Sequence, residues 1–89
     1  MAWRVLLDPR AAREIDRLDG PVQARIWKFL YERLARLEDP RSVGQAMRGS
    51  ELGDLWKYQV GDHRILAKIS DRDVVVVVVK IGHRREIYR

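Results

Sequence analysis

Six consecutive valines, Val74 to Val79, restrict the fold more than any other stretch of this chain. The run is far too short to span a bilayer, and its β-branched side chains lose rotamer freedom in a helix. It is apolar on both faces, which describes a strand in the interior of a sheet. Directly behind it come Lys80, His83, Arg84, Arg85, Tyr88 and Arg89. A buried strand therefore carries cations and one phenol to the surface, and function is expected there.

The residues before the valines alternate with a period of two from Leu55 onward. Gly61-Asp62 supplies a two-residue hairpin loop between two alternating segments. With that loop, Val60 faces His63, Gln59 faces Arg64, Tyr58 faces Ile65 and Lys57 faces Leu66. Lys57, Gln59 and Arg64 then share one face, while Trp56, Tyr58, Ile65 and Ala67 form the face that helices should cover. Asp71-Arg72-Asp73 makes the next turn, and the valine strand returns antiparallel beside the Arg64 strand. Its end, Lys80 to Arg84, comes back to the level of Gly61 and Arg64, gathering Lys57, Arg64 and Arg84 near one edge.

The first half reads differently. Trp3 to Leu7 is a short apolar strand ending at Asp8-Pro9, where Asp caps a helix and Pro fits its first turn. Ala11, Ile15 and Leu18 make one apolar face over residues 9–18, opposite Arg10, Arg13, Glu14 and Arg17. Asp19-Gly20-Pro21 ends that helix and starts the next, with Gly20 placed for a left-handed cap. Val22, Ile26, Phe29, Leu30, Leu34 and Leu37 then form a stripe over residues 21–38, with Trp27 and Tyr31 off its centre. Residues 40–54, rich in glycine, read as an irregular connection. The expected fold is α+β with the order β-α-α-β-β-β, a helical hairpin packed on a mostly antiparallel four-stranded sheet, and residues 1–89 forming one domain.

Charge is unevenly placed. The net charge of +5 comes mainly from the second half, where residues 41–89 carry ten Lys/Arg against six Asp/Glu, whereas residues 1–40 carry eight against seven. A polyanion-facing side belongs to the C-terminal half. The chain has no cysteine, so a disulfide framework and thiolate metal sites are excluded, and a cytoplasmic location without membrane contact is the expectation.

The hairpin WKYQVGDHRILAKI, the valine strand and the closing GHRREIYR, in this element order, resemble the RelE/ParE superfamily of bacterial toxins, and the resemblance covers nearly the whole chain. The Arg/Tyr tail is more similar to the RelE branch, which cleaves messenger RNA in the ribosomal A site, than to the ParE branch, which poisons DNA gyrase. The resemblance implies catalytic roles for Lys57, Arg64, Arg84 and Tyr88, and RNA contacts for Gln59, His83 and Arg85. Gln59 stands where the RelE pattern has a second lysine, and Tyr88 follows Arg84 at a shorter spacing than the pattern shows. A type II toxin–antitoxin system is implied, with no cofactor, no metal, an acidic RelB-like antitoxin as partner, the ribosome and messenger RNA as targets, and operator DNA reached through the antitoxin.

The chemistry can be stated without the family. RNA is cut when its own 2′-hydroxyl attacks the adjacent phosphate, leaving a 2′,3′-cyclic phosphate and a 5′-hydroxyl. The protein must hold the strand in line, take one proton, neutralise the phosphorane and return a proton to the leaving oxygen. Arg64 and Arg84 suit charge neutralisation, since guanidinium stays charged and forks onto phosphate oxygens. Lys57 serves as base if neighbouring cations lower its pKa, Tyr88 stacks on a base or orients the phosphate, and His83 is the ordinary acid–base group that compensates for Gln59. Rival readings stand beside these: Arg64 in an ion pair with Asp62 or Glu86, Arg84 and Arg85 as a solvated tail, and His63 as a half-buried structural residue. At the level of the whole chain, the rivals are a gyrase inhibitor and a degenerate member that retains only a regulatory role.

Overall fold

The computed structural model describes residues 2–47 and 54–87. Val74, read with the valine strand, stands in the turn before it at a φ of +54°. Val75 to Val79 open β5 (Val75–His83), which pairs in parallel with β1 (Arg4–Leu7) and antiparallel with β4 (His63–Ser70). Two neighbours satisfy its backbone on both sides, as an interior strand requires. β3 (Leu55–Val60) pairs with β4 across the Gly61-Asp62 turn in the expected register, and the full sheet order is β1-β5-β4-β3-β2. Gly61 takes a φ of +59°, the left-handed conformation that favours glycine at the first loop position.

Both helices cover one face of this sheet. α1 (Pro9–Asp16) starts at Asp8, whose carboxylate accepts from the Ala11 N–H at 2.9 Å, and buries Ala11 and Ile15. α2 (Gly20–Lys28) buries Ile26 and continues without a break through a π-helical turn over Phe29–Arg33 and a 3₁₀ turn over Leu34–Arg36. Ile26, Leu30 and Leu34 have no exposed surface and join Tyr58, Ile65, Ala67, Val76 and Val78 in one core. Burying each of these large aliphatic groups contributes about 1.5–3 kcal/mol. Trp27 and Tyr31 stack at 5.4 Å off the centre of the stripe, and the Tyr31 hydroxyl donates to the Val5 carbonyl on the outer edge of β1.

Gly20 departs from its expected role. It is the first residue of α2 and has no left-handed φ. The end of α1 is closed instead by Gln23, whose amide donates to the carbonyls of Leu18 at 2.8 Å and Asp16 at 3.2 Å. A side chain from the next helix satisfies carbonyls that a glycine cap would otherwise turn inward.

The stretch read as an irregular connection contributes a fifth strand. After a 3₁₀ turn over Pro40–Val43, β2 (Gln45–Met47) pairs antiparallel with β3 at the sheet edge. The buried Tyr58 hydroxyl donates to the Pro40 carbonyl at 2.8 Å, and burial pushes this phenol well above its usual pKa. Gly44 lies so close to the Tyr58 ring that a Cβ would come within 2.7 Å of it. Arg41 grips Asp71 with two bonds of 3.0 and 2.7 Å and stacks 5.7 Å over Trp56, tying this segment to the β4–β5 turn. Its hydrogen bonds hold the Asp71 carboxyl below the usual carboxylate range.

β5 also contains an irregularity. Ala67 faces Val78 and Leu66 faces Lys80, so Val79 is an extra residue, a β-bulge. The bulge reverses the side-chain parity of the strand. Upstream, Val76 and Val78 face the helices; downstream, Ile81 faces them and Lys80 points away. β1 has turned into α1 by this level, and the Ile81 N–H donates instead to the Glu14 carboxylate at 3.0 Å. The far face of the sheet holds a small apolar cluster of Leu55 and Leu66, flanked by Met47 and Val79.

Glu14→Ala removes the acceptor from a partly buried backbone N–H and should lower stability by about 1–3 kcal/mol, whereas Glu14→Gln keeps an acceptor and should lose less than half of that. Urea midpoints of the two variants check this; equal midpoints would show that the bond does not stabilise the bulge.

Candidate RNA-binding site at the end of the sheet

Two neighbouring rows of side chains cross the sheet on the face away from the helices. Gln59 on β3, Arg64 on β4 and Gly82 on β5 form one row, and Lys57, Leu66 and Lys80 form the next. The hairpin register fixes the first two members of each row, and the bulge fixes the third. Lys80 therefore stands in the same row as Lys57.

Arg64 is the only charged residue among the described ones to be buried, at 9% exposure. Its Nη1 donates to the carbonyls of Gly61 at 3.3 Å and His63 at 3.2 Å. Neither Asp62 nor Glu86 forms an ion pair with it, so the rival reading as a sheet-edge ion pair does not hold among the described residues. No buried side-chain nitrogen among these residues lacks a partner, so the remaining guanidinium nitrogens reach the surface. Arg64 thus offers a cation fixed by two carbonyls, with donors left for an anion. The Gln59 amide reaches the same Gly61 carbonyl at 3.5 Å, placing a neutral donor beside Arg64 where a lysine would add a second charge.

The chain turns just beyond this row. The Arg84 N–H donates to the Asp62 carbonyl at 2.8 Å, which brings the start of α3 (Arg84–Ile87) against the β3–β4 turn. Arg84 and Arg85 are both exposed there. His83 falls on the opposite face, in register with His63, and the two rings meet edge to face at 5.6 Å. The His83 Nδ1 accepts from the Arg85 N–H at 3.2 Å, so this ring caps the first turn of α3. His63 is half-buried, as read. The structure therefore groups Lys57, Gln59 and Arg64 on one face, sets Arg84 and Arg85 at its rim and places His83 on the opposite face. Tyr88 lies outside the described residues.

Neither the Glu14 bond to Ile81 nor the place of Lys80 beside Lys57 follows from the sequence pattern. Glu14 carries no local signal, being one acid among arginines on the wet side of α1. Lys80 is followed by Ile81, and the need to place one outward and the other inward was the available cue. Among the described residues, no three His, Asp or Glu side chains gather as metal ligands, and no helix is long and apolar enough to cross a membrane.

Comparison with known proteins bears on this arrangement. Residues 5–88 match the family model described as the ParE toxin of the type II toxin–antitoxin system parDE. The chain belongs to this family. It is a toxin of the RelE/ParE superfamily, and it is 30% identical to Toxin RelG of Mycobacterium tuberculosis over all of this chain and 99% of that protein. The toxin's fold is similar to a chain in the RelBE2 toxin–antitoxin complex from Mycobacterium tuberculosis, with a TM-score of 0.84, 27% identity and coverage of 97% and 95% of the two chains. It is also similar to a chain in the intact E. coli RelBE toxin–antitoxin complex, with a TM-score of 0.73, 29% identity and coverage of 92% and 96%.

The two arginines should differ in structural weight. Arg64→Ala strips bonds from two turn carbonyls and should cost about 1–3 kcal/mol, whereas exposed Arg84→Ala should stay within about 0.5 kcal/mol of the parent. Thermal or urea midpoints measure both, and an Arg64→Ala midpoint equal to that of the parent would show that the turn does not depend on the guanidinium.

Proposed function

We propose that the toxin is a ribosome-dependent endoribonuclease that cleaves messenger RNA in the A site and so arrests translation. The observation that carries this reading is Arg64, a guanidinium nearly buried against backbone carbonyls, with no carboxylate partner among the described residues and donors open to the surface. A cation held this way needs no reorganisation to meet charge that develops on a phosphate. Arg84, brought to the same turn by its N–H bond to Asp62, supplies the second guanidinium. Lys57, one row away on the same face, takes the 2′-hydroxyl proton. Tyr88 stacks on or orients the substrate, and Gln59 and Arg85 contact the strand at the rim. His83 acts through its cap on α3, which sets where Arg84 and Arg85 begin.

A cognate acidic RelB-like antitoxin restrains the toxin in this account. Its support is the likeness to chains solved as toxin–antitoxin complexes from Mycobacterium tuberculosis and E. coli. Carboxylates complement a cationic sheet end, and an antitoxin bound there keeps the phosphate of a messenger out.

The match to the ParE toxin model favours a second reading, in which the toxin inhibits DNA gyrase and cuts no RNA. Primer extension on messenger from programmed ribosomes separates the two. Cleavage inside A-site codons, reduced at least about 100-fold by Arg84→Ala, is expected, since loss of one charge-stabilising donor costs about 2.7–4 kcal/mol. Uncut messenger together with gyrase-dependent DNA breaks that persist in Arg84→Ala would replace this reading with the second.

A further inference from the structure

Lys80 is a half-buried lysine that the nuclease reading leaves without a task, and the bulge at Val79 decides which way it points. A bulge disrupts the ladder locally. The sheet mends this one with a side chain, the Glu14 carboxylate that accepts from the Ile81 N–H. Bulges beside active sites serve to re-aim side chains. Here the side chain re-aimed is Lys80, which leaves the helical face and joins the face of Arg64. Among the described residues it takes no ion pair.

The register gives Lys80 a definite place on that face. Arg64 lies opposite Gln59 on one side and Gly82 on the other, so Lys57 and Lys80 are its diagonal neighbours on the two flanking strands. Diagonal neighbours stand about 7–8 Å apart, within reach of long side chains. The two lysines are themselves separated by the buried Leu66 and lie two strand spacings, or about 10 Å, from one another. A phosphate over the Arg64 guanidinium is therefore met from both sides, by Lys57 from β3 and by Lys80 from β5. Lys68 shares the face but lies about 14 Å from Arg64 along β4, outside this triangle.

We propose that Lys80 is a further catalytic residue of the toxin, its ammonium donating to a non-bridging oxygen of the scissile phosphate. The inference rests on the nuclease reading. In that reaction the 2′-hydroxyl gives its proton to Lys57 and the 2′-oxygen bonds to phosphorus, which places a second negative charge on the non-bridging oxygens. The bond to the 5′-oxygen then breaks, and that oxygen leaves with the bonding pair and takes a proton from water. A lysine that accepts the 2′-hydroxyl proton enters the reaction uncharged, so Lys57 cannot also be the ammonium that meets the charge as it forms. The neutral Gln59 beside Arg64 cannot meet it either. Lys80 keeps its proton throughout, and the two lysines flanking Arg64 divide the two tasks.

The test follows single-turnover cleavage of messenger on programmed ribosomes, over a range of toxin concentration up to saturation. Lys80→Gln should slow cleavage at saturation at least about ten-fold with no matching rise in the half-saturating concentration, because a contact with developing charge acts on the rate and not on binding. Lys80→Arg keeps a cation at this position and should stay within about three-fold of the parent. Gln59→Lys restores an ammonium beside Arg64 and should recover most of the rate in the Lys80→Gln background. Lys68→Gln removes the same charge from the same face and should change the rate less than about two-fold. Should urea titration show Lys80→Gln unfolded, Lys80→Met, which keeps the half-buried stem, takes its place. A folded Lys80→Gln that cuts at the parental rate overturns the inference. So does an equal loss in Lys68→Gln, or a loss that neither Lys80→Arg nor Gln59→Lys recovers, since the first needs only charge anywhere on the face and the second is structural. Messenger left uncut by the parent would remove the nuclease reading and this role with it, whereas parental cutting that Lys80→Gln matches removes the role alone.

Discussion

The whole arrangement depends on β5 being paired along both edges at once. Parallel pairing with β1 and antiparallel pairing with β4 fix the strand's position and twist before any side chain is considered. The helices then have one place to bury their apolar faces, over Val76, Val78 and Ile81. With no side chain of its own to distinguish one valine from the next, the run tolerates a shift of one residue. The bulge at Val79 uses that tolerance: without it, Lys80 would face Ile65 in the core and Ile81 would face outward beside Arg64. Glu14 secures the shifted strand where β1 has ended.

The consequence for function is a cation set against backbone rather than against an acid. Guanidinium groups in small proteins are usually exposed or paired with carboxylates, because desolvating a charge is costly. Arg64 avoids that cost through two carbonyls of its own turn and the open side of its fork. Arg41 makes the contrast within the same chain. Its charge is taken up by Asp71 and Asp39, and it serves to fasten β2 and the 3₁₀ turn to the sheet. The two residues have the same chemistry and different settings: of the two, only Arg41 meets carboxylates among the described residues.

Much of this was legible in the sequence because it followed from local rules. The Gly61-Asp62 loop gave the register of β3 and β4, and hence the shared face of Lys57, Gln59 and Arg64. Asp8-Pro9 gave the start of α1, and the spacing of Ile26, Leu30 and Leu34 gave the buried face of α2. What stayed hidden depended on long-range partners. Gly20 looked like a cap until Gln23 supplied the bonds. A three-residue edge strand carries no period, so β2 looked like a loop. His83 could not be assigned a face because six identical valines conceal a change of parity. The π-helical turn over Phe29–Arg33 has no signature in the side-chain pattern at all.

On the proposed reading, cations at the end of the sheet assist RNA in cutting itself through its 2′-hydroxyl. The most direct measurement places a single 2′-deoxynucleotide at the scissile position of a messenger programmed into the ribosomal A site. Cleavage at that bond should disappear, while the all-ribose messenger yields a 2′,3′-cyclic phosphate and a 5′-hydroxyl. Continued cleavage of the 2′-deoxy bond would mean that water or a protein group is the nucleophile, and would contradict the account.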